Sequence, residues 1–416
     1  MTTDGFKNTL YTNDNLFVLN GMNSESVDLI YLDPPFNTKR TYSAPVGSKA
    51  AGASFKDMWT WKDVDEYYLD SLADHFPALV KYIASVGQVH SKPMMAYLTY
   101  MTQRIVEMHR ILKETGSLYL HCDSTASHYL KSLLDSVFGK NNFRNEIIWC
   151  YNKWAVSQKS FSRNHDTILL YTKSSEYCFN PLLQKRAKST LKRFGGKKIV
   201  SGFDQYGKRK PSEMADDESE GVKMADWWEI PIIAPSSKER TGYPTQKPLA
   251  LLHRIIKASS NEGDIVFDPF CGCATTCVAA QQLDRKWIGI DIEKQAVDIL
   301  VERLSDDAGL FKDFINTTTV PQRTDIKILL PSASVKERLY KEQNGLCNAC
   351  GREFEIWDFE IDHIIPKAKG GGDYYENYQL LCGSCNRIKG DRPMEYLRMK
   401  IETRERMMKD KIIFGE

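Results

Sequence analysis

The 416-residue sequence predicts an α/β protein with a mostly parallel sheet, followed by a small module built around cysteines. Short apolar strands alternate with amphipathic helices over residues 1–150, and the same alternation returns after residue 248. Two C-x-x-C pairs near the C-terminus have a spacing that is typical of metal sites. A chain of this length is expected to form two or three domains.

The individual elements follow from apolar periodicity. Residues 27–33 form an apolar strand, and residues 97–116 have the spacing of a helix that ends at Gly116. The later elements are strands at 117–123, 145–151, 166–173, 264–270 and 286–292, and helices at 127–139, 248–260 and 275–283. Residues 303–335 show little periodicity and are predicted to be a linker between domains at 1–302 and 336–416.

Composition indicates a cytoplasmic protein. No segment approaches the roughly 18 uninterrupted apolar residues of a membrane helix, and the N-terminus lacks the layout of a secretory signal. Between Lys185 and Lys210 there are ten Lys and Arg residues against one acid. This charge predicts either a DNA-facing loop or a mobile polar insertion, within an irregular stretch at about 150–240.

The second α/β stretch carries the pattern of a nucleotide-like site. A strand ends at Asp268, a turn holds Gly272, a helix begins near Thr275, and the next strand ends at Asp291. Free N–H groups at a helix start bind anions, and an acid at the end of the next strand can bind ribose hydroxyls. A glycine that is needed only for packing would explain the turn equally well.

A second motif, D-P-P-F at residues 33–36, ends the strand 27–33. Proline cannot extend a sheet, so the motif is a rigid turn, and alone it would usually only cap a strand. Together with D-P-F-C-G-C-A-T-T at 268–276, it resembles the S-adenosylmethionine-dependent DNA amino-methyltransferases. The motif order resembles the permuted β group, whose target-recognition region lies between the two motifs. Residues 110–149 are similar to type III modification subunits.

The resemblance implies a Rossmann-like methyltransferase fold, S-adenosylmethionine as cofactor and double-stranded DNA as substrate, with a homodimer as family expectation. The catalytic residues that it implies are Asp33, Pro34, Pro35 and Phe36. In this scheme the Asp33 carboxylate and the Pro34 carbonyl each accept one N–H of the target amine, and Phe36 stacks on an extruded base. D-P-P-F favours adenine N6, with cytosine N4 as the alternative.

The cofactor-binding residues that the resemblance implies are Asp14, Lys247, Asp268, Phe270, Gly272, Thr275 and Asp291. The alternative for Asp14 is a surface turn at a helix start, and for Lys247 a loop-anchoring role. The family loop F-x-G-x-G is replaced here by F-C-G-C-A, ending at Ala274. Because alanine disfavours positive φ, we expect either a slightly different loop or no left-handed residue at Ala274, with cofactor binding retained and its affinity open. His121 belongs to no motif and is expected to pack.

The C-terminal module combines two sets of residues. Four thiolates, enough for a closed tetrahedral zinc site, come from Cys347, Cys350, Cys382 and Cys385. The residues between the two pairs must form a folded insert, because the spacing exceeds that of an ordinary zinc ribbon. A zinc site of this kind would stabilise a segment too small for a sizeable core.

The insert resembles the HNH nucleases, which have a ββα-metal core. His363 matches the general base of that family, and Asn377 matches the residue that orients the histidine loop. Asp362 and Asn386 match the ligands of a catalytic divalent ion, for which Mg²⁺ is expected because oxygen ligands suit a hard cation.

The sequence therefore predicts a DNA adenine methyltransferase joined to a Mg²⁺-dependent HNH endonuclease, in restriction–modification or phage defence. One alternative is a methyltransferase whose zinc module only binds DNA. Another is a methyltransferase that acts on RNA or protein, because Pro-Pro-aromatic loops also serve other planar amines.

Overall fold

The computed structural model describes residues 8–38, 40–45, 47–48, 50–51, 54–60, 64, 72, 76–153, 159–186, 188–195, 197–200, 202–210, 213–218, 221–306, 314–326 and 330–414. The strands are β1 (Asn8–Thr12), β2 (Val27–Leu32), β3 (Arg40–Ser43), β4 (Ser54–Asp57), β5 (Leu112–Cys122), β6 (Phe143–Cys150), β7 (His165–Thr172), β8 (Leu183–Gln184), β9 (Lys197–Val200), β10 (Glu213–Glu218), β11 (Val222–Lys223), β12 (Trp227–Glu229), β13 (Ile265–Asp268), β14 (Lys286–Asp291), β15 (Phe314–Thr317), β16 (Phe359–His363) and β17 (Tyr378–Cys382).

The helices are α1 (Asn15–Gly21), α2 (Pro77–Val89), α3 (Lys92–Ile111), α4 (Ser127–Leu134), α5 (Lys188–Phe194), α6 (Leu249–Ser259), α7 (Thr275–Gln282), α8 (Gln295–Asp306), α9 (Ala333–Glu342), α10 (Gly383–Lys389) and α11 (Met394–Phe414). None of the helices in the described ranges is both long and apolar enough to cross a membrane.

A nine-stranded sheet has the order β12-β6-β7-β5-β2-β13-β14-β1-β15. Only β7 runs antiparallel to its neighbours, so the predicted α/β class with a mostly parallel sheet is confirmed. Buried side chains of α1 to α4 pack on one face, and those of α6 and α7 pack on the other. Because β2 and β13 pair directly, the segments that follow them lie side by side at one edge of the sheet.

Helix α3 ends at Ile111, five residues before the predicted end at Gly116. The intervening residues begin β5, which pairs with β2 from Leu112 onward. Lys113 Nζ contacts Asp28 Oδ1 at 2.7 Å, and a Cβ at Gly116 would lie 2.9 Å from the Asp28 carbonyl oxygen. Glycine here allows the close approach of two strands, so the prediction of a helix end at Gly116 was wrong.

Described residues of the stretch predicted as a linker contact the first domain. Residues Phe314–Thr317 form the edge strand beside β1, and Ser24 N–H donates to Asp325 Oδ2 at 2.8 Å. The irregular stretch at about 150–240 forms two small antiparallel pairs, β8–β11 and β9–β10, and β12 joins the edge of the main sheet. Residues 154–158, 187, 196, 201, 211–212 and 219–220 of that stretch lie outside the described residues.

The C-terminal module has its own core. Strands β16 and β17 form an antiparallel hairpin, α10 follows directly, and α9 and α11 pack against them. Its buried apolar residues include Leu339, Phe359, Leu380 and Leu397. The module contacts α1 through Gly370, where a Cβ would lie 2.3 Å from the Phe17 carbonyl oxygen.

Candidate active sites

A pocket of about 450 Å³ opens at the carboxyl ends of β1, β2, β13 and β14. This volume lies in the ordinary range for small-molecule sites. The predicted residues of the first domain all line it: Asp14, Asp33, Pro34, Pro35, Phe36, Lys247, Asp268, Phe270, Gly272, Thr275 and Asp291. The topology therefore brings the two sequence motifs together in one pocket, and the roles of these residues stay predictions.

The two oxygens of the Asp33 carboxylate have different hydrogen-bond partners. Oδ2 accepts a hydrogen bond from the Lys247 ammonium, which also donates to the Thr245 carbonyl oxygen at 3.2 Å. Oδ1 is buried and has no hydrogen-bond partner among the described residues. A buried acceptor without a donor costs about 1–3 kcal/mol, so this oxygen is suited to an N–H group of a ligand.

The segment that follows D-P-P-F is tied to Asp57. Its Oδ1 accepts the Asn37 N–H at 2.5 Å, and its Oδ2 accepts the Thr38 N–H at 3.1 Å. Asn37 has φ +62°, a left-handed conformation that asparagine tolerates better than most residues. These bonds fix the exit of the rigid turn and therefore the position of Phe36.

The glycine-containing loop differs from the expectation at Ala274, which has φ +56° and ψ 33°. The prediction that this alanine avoids the left-handed region was wrong. Its N–H donates to the Cys271 carbonyl oxygen at 2.7 Å, and its side chain is fully buried. Turn hydrogen bonding and packing therefore offset a conformational cost of roughly 1–2 kcal/mol.

Two carboxyl groups accept hydrogen bonds from backbone N–H groups of this loop: the buried Asp268 at the end of β13 and the half-buried Asp291 at the end of β14. Asp268 Oδ1 accepts the Phe270 N–H at 3.0 Å, and Asp291 Oδ2 accepts the Gly272 N–H at 2.8 Å. Burial raises the pKa of Asp268 to about 7 and that of Asp291 to about 6, against the lowering effect of these bonds. A cationic ligand would favour the ionised forms of both carboxyl groups, so these residues fit a cofactor that carries a positively charged sulfonium group.

The sequence left two positions open for Asp14, a turn at a helix start and a place in the cofactor pocket, and the structure combines them. Asp14 Oδ1 caps α1 by accepting the Leu16 N–H at 2.9 Å, and it accepts a hydrogen bond from Arg104 Nη2 at 3.1 Å. Asp14 nevertheless lines the pocket. The helix cap and the pocket position are therefore compatible.

His121, expected to be a packing or loop residue, is fully buried and also takes part in a hydrogen-bond network beside D-P-P-F. Its Nδ1 lies 2.8 Å from Tyr31 Oη, and its Nε2 lies 3.2 Å from Asp166 Oδ2. The rings of His121 and Phe36 are stacked, with centroids 6.0 Å apart. Desolvation opposes ionisation of Asp166, but His121, Lys247 and Tyr151 lower its pKa to about 2. The sequence held one signal for this network. The strands predicted at 27–33 and 117–123 carry Tyr31 and His121 near their ends.

In the second domain, the four cysteines form a compact cluster. The Sγ atoms of Cys347, Cys350, Cys382 and Cys385 all lie within 4.8 Å of one another. The Cys382 N–H donates to Cys347 Sγ at 3.3 Å. Four thiolates at these separations fit a tetrahedral zinc ion with Zn–S distances of about 2.3 Å.

The two predicted ligands of a catalytic divalent ion have different partners. Asp362 Oδ2 accepts a hydrogen bond from Gln379 Nε2 at 2.8 Å, and Asp362 Oδ1 lies 3.1 Å from the Lys389 ammonium. Asn386 instead donates to Glu360. Both side chains are therefore engaged by protein partners, and an ion at Asp362 requires the Lys389–Asp362 pair to open.

His363 and Asn377 shape the loop between β16 and β17. His363 Nε2 lies 2.9 Å from Asp373 Oδ1, which leaves Nδ1 as the ring nitrogen available to take a proton. Asn377 is buried and accepts the Ile365 N–H at 2.8 Å while donating to the Gly372 carbonyl oxygen at 3.1 Å. Asn377 thus closes the loop that follows the histidine.

Comparison with known proteins gives two domain matches. A family described as DNA methylase matches residues 27–302, and one described as HNH endonuclease matches residues 347–392. The chain is 28% identical over 392 residues to the type II methyltransferase M.EcaI of Enterobacter cloacae, covering 81% of this chain and 78% of that protein. It is 27% identical over 299 residues to the DNA adenine methyltransferase YhdJ of Escherichia coli K12, covering 71% and 82%.

Solved structures with similar architecture include two methyltransferases. The M1.HpyAVI complex with SAM is 20% identical, with a TM-score of 0.38, and the match covers 71% of this chain and 98% of that one. The cytosine-N4-specific PvuII DNA methyltransferase is 14% identical, with a TM-score of 0.43, covering 76% and 99%.

Proposed function

Because the chain belongs to the DNA methylase family and carries an HNH domain at its C-terminus, we propose that it methylates adenine N6 in double-stranded DNA and also cleaves DNA. The observation that carries the methylation proposal is the buried Asp33 Oδ1, which has no donor among the described residues and belongs to a residue that lines the pocket. An exocyclic amine of a base supplies such a donor.

The proposed role of D-P-P-F is to activate and position that amine. The amine is a poor nucleophile because its lone pair is conjugated into the base. Asp33 Oδ1 and the Pro34 carbonyl oxygen each accept one N–H, which localises the lone pair toward the cofactor side of the pocket. Phe36 stacks on the extruded base, and Pro35 keeps the turn rigid. Positioning and hydrogen bonding that strengthen in the transition state supply the acceleration.

S-adenosylmethionine, when bound, supplies the electrophilic methyl group. We propose that Asp291 binds the ribose hydroxyls and that Asp14 lies near the cofactor adenine. Asp268, Phe270, Gly272 and Thr275 form the remaining wall. The common pocket supports this assignment, as do the carboxyl groups of Asp268 and Asp291, whose ionised forms a cation would favour.

The preference for adenine rests on D-P-P-F and is supported by similarity to YhdJ, which is named as a DNA adenine methyltransferase. Cytosine N4 is the second candidate, because the DNA methylase family that matches residues 27–302 includes both N6 and N4 methyltransferases. The two products differ in mass spectra of the digested nucleosides.

For the HNH domain, we propose that His363 Nδ1 takes a proton from the attacking water, with Asn377 orienting the loop. Desolvation opposes ionisation of Asp373, but Lys367, His363 and Tyr378 lower its pKa, and a stably ionised Asp373 would fix the His363 ring. Asp362 and Asn386 would hold Mg²⁺ after Lys389 moves away. Zinc at the four cysteines would be structural.

The test uses unmethylated plasmid incubated with the protein, S-adenosylmethionine and Mg²⁺. We expect N6-methyladenine in the nucleoside digest and nicked or linear plasmid on a gel. His363→Ala should abolish cleavage and preserve methylation, whereas Asp33→Ala should have the opposite effect. N4-methylcytosine would establish the second candidate, and cleavage that persists in His363→Ala would contradict the nuclease assignment. Methylation together with cleavage would place the protein in restriction–modification or phage defence.

A further inference from the structure

The contact between Lys247 and Asp33 joins two motifs that are distant in the sequence. The Lys247 side chain is 10% exposed and that of Asp33 is 16% exposed, so the ion pair is largely shielded from water. The same ammonium lies 5.7 Å from the centroid of the Phe36 ring. One cation therefore contacts both side chains that act on the target base in the proposed mechanism.

The loop that carries Lys247 is held by its own side chains. Gln246 Oε1 accepts the Thr241 N–H at 2.9 Å, and Gln246 Nε2 donates to the Glu239 carbonyl oxygen at 2.7 Å. Thr245 has φ +63°, which is rare for a β-branched residue. Strained backbone of this kind persists only where the surroundings over-determine it, and it concentrates at functional sites.

We propose that Lys247 is a positioning residue for methyl transfer, an inference that rests on the proposed function. By occupying Oδ2 of Asp33, the ammonium fixes the rotation of the carboxylate and leaves Oδ1 to accept the N–H of the target amine. Without Lys247 the carboxylate can turn about its terminal torsion, which has a broad distribution. The ammonium also favours one position of the Phe36 ring through its attraction to the aromatic face.

This role differs from the cofactor-binding role that family resemblance implies for Lys247. The ammonium already interacts with Asp33 and with the Thr245 carbonyl oxygen. A residue that binds the cofactor would change cofactor affinity when substituted. A residue that positions Asp33 would instead change the rate of methyl transfer at saturating cofactor.

The experiment compares Lys247→Met, Lys247→Arg and wild type. Single-turnover transfer of labelled methyl groups to unmethylated plasmid gives the rate, and calorimetric titration gives the Kd for S-adenosylmethionine. For Lys247→Met we expect a rate lower by roughly 10- to 100-fold, since a small misplacement of reacting groups has effects of this size. Its Kd should stay within about twofold of wild type, and Lys247→Arg should recover part of the rate. Lys238→Met, at an exposed lysine just upstream, is the matched control and should match wild type.

A double-mutant cycle with Asp33→Asn measures the coupling between the two side chains in the methyl-transfer rate. A purely structural role of Lys247 would not produce such coupling. If Lys247 acts through Asp33, adding Lys247→Met to Asp33→Asn should lower the rate by less than about threefold more. The proposal would be overturned if the losses of rate from the two substitutions were additive. It would also be overturned if Lys247→Met raised the Kd for S-adenosylmethionine and left the rate at saturating cofactor unchanged. An inactive wild type would instead contradict the proposed function, so the two failures are distinguishable.

Discussion

Both domains pair a shielded lysine with the aspartate predicted to act in the site, but the two pairs differ. In the first domain, Lys247 contacts only Oδ2 of Asp33, and Oδ1 has no partner in the described part of the chain. In the second, Lys389 and Gln379 together engage both oxygens of Asp362, which is 8% exposed. The first site is organised to receive a hydrogen-bond donor, whereas the second must rearrange to receive a metal ion.

The domains also differ in what stabilises them. The first has apolar layers on both faces of a nine-stranded sheet. The second has a small core whose buried residues include three of the four clustered cysteines. A core of this size needs additional stabilisation, and a metal is the usual source.

Disrupting the four-cysteine cluster should change the molecule most. Cys382→Ser, or treatment with a chelator, should unfold the C-terminal module, because structural zinc contributes on the order of 10 kcal/mol to folding of small modules. Limited proteolysis should then remove the module and leave a fragment that still methylates DNA. Cys178→Ser, outside the cluster, is the control. A module that resists protease equally with and without chelator would show that its core suffices.

The next prediction concerns Lys389, whose ion pair with Asp362 is expected to stabilise the C-terminal module, in contrast to the positioning role proposed for Lys247. Lys389→Met should destabilise the module by about 3–5 kcal/mol, because it leaves the buried Asp362 carboxylate unpaired. Hydrogen exchange at Leu380 and Leu381, both fully buried in β17, would measure the change. Mg²⁺ should restore part of the protection in the variant and have less effect on wild type. Equal protection in both proteins, with and without Mg²⁺, would contradict the importance of the pair.

A pH-dependent effect is expected in the first domain without cofactor. Burial raises the pKa of Asp268 to about 7, above its value in the unfolded chain, so the folded state binds the proton more tightly. Its contribution to stability is therefore present at low pH and is lost as pH rises from about 4 through 7. Each unit of pKa difference corresponds to about 1.4 kcal/mol.

Asp268→Asn should therefore lose less thermal stability than wild type between pH 5 and pH 8. Melting of the first domain, followed by calorimetry at both pH values, measures this. Glu262→Gln, at an exposed residue nearby, should follow wild type. Parallel curves for wild type and Asp268→Asn would show that Asp268 titrates normally.

The smallest effect concerns the contact between the domains. Gly370 has φ +88°, and an added Cβ would lie 2.3 Å from the Phe17 carbonyl oxygen. Gly370→Ala should weaken this contact by about 1–2 kcal/mol, including backbone strain. The control is Gly390→Ala, because Gly390 has φ +54° and a Cβ there meets no atom within 4 Å. Faster proteolysis at residues 318–326 in Gly370→Ala only is the expected result, and equal rates in both variants would contradict a specific contact.

Local patterns predicted most of the architecture and the pocket. Apolar periodicity identified β2, β13 and β14, and the residue types that follow them identified D-P-P-F and the glycine turn. The sequence did not predict the Lys247–Asp33 contact or the His121 network, because these depend on which strands become neighbours. It also missed the early end of α3 and the left-handed Ala274, since tertiary pairing and packing there override local preference.

In the proposed mechanism, methyl transfer depends on Asp33 Oδ1 accepting an N–H of the target amine. The most direct test is single-turnover methyl transfer to plasmid DNA by wild type and by Asp33→Ala, both at saturating S-adenosylmethionine. Removing one such acceptor should lower the rate by at least about 100-fold, as for other groups that stabilise a transition state, while cofactor binding persists. Equal rates in the two proteins would contradict the claim.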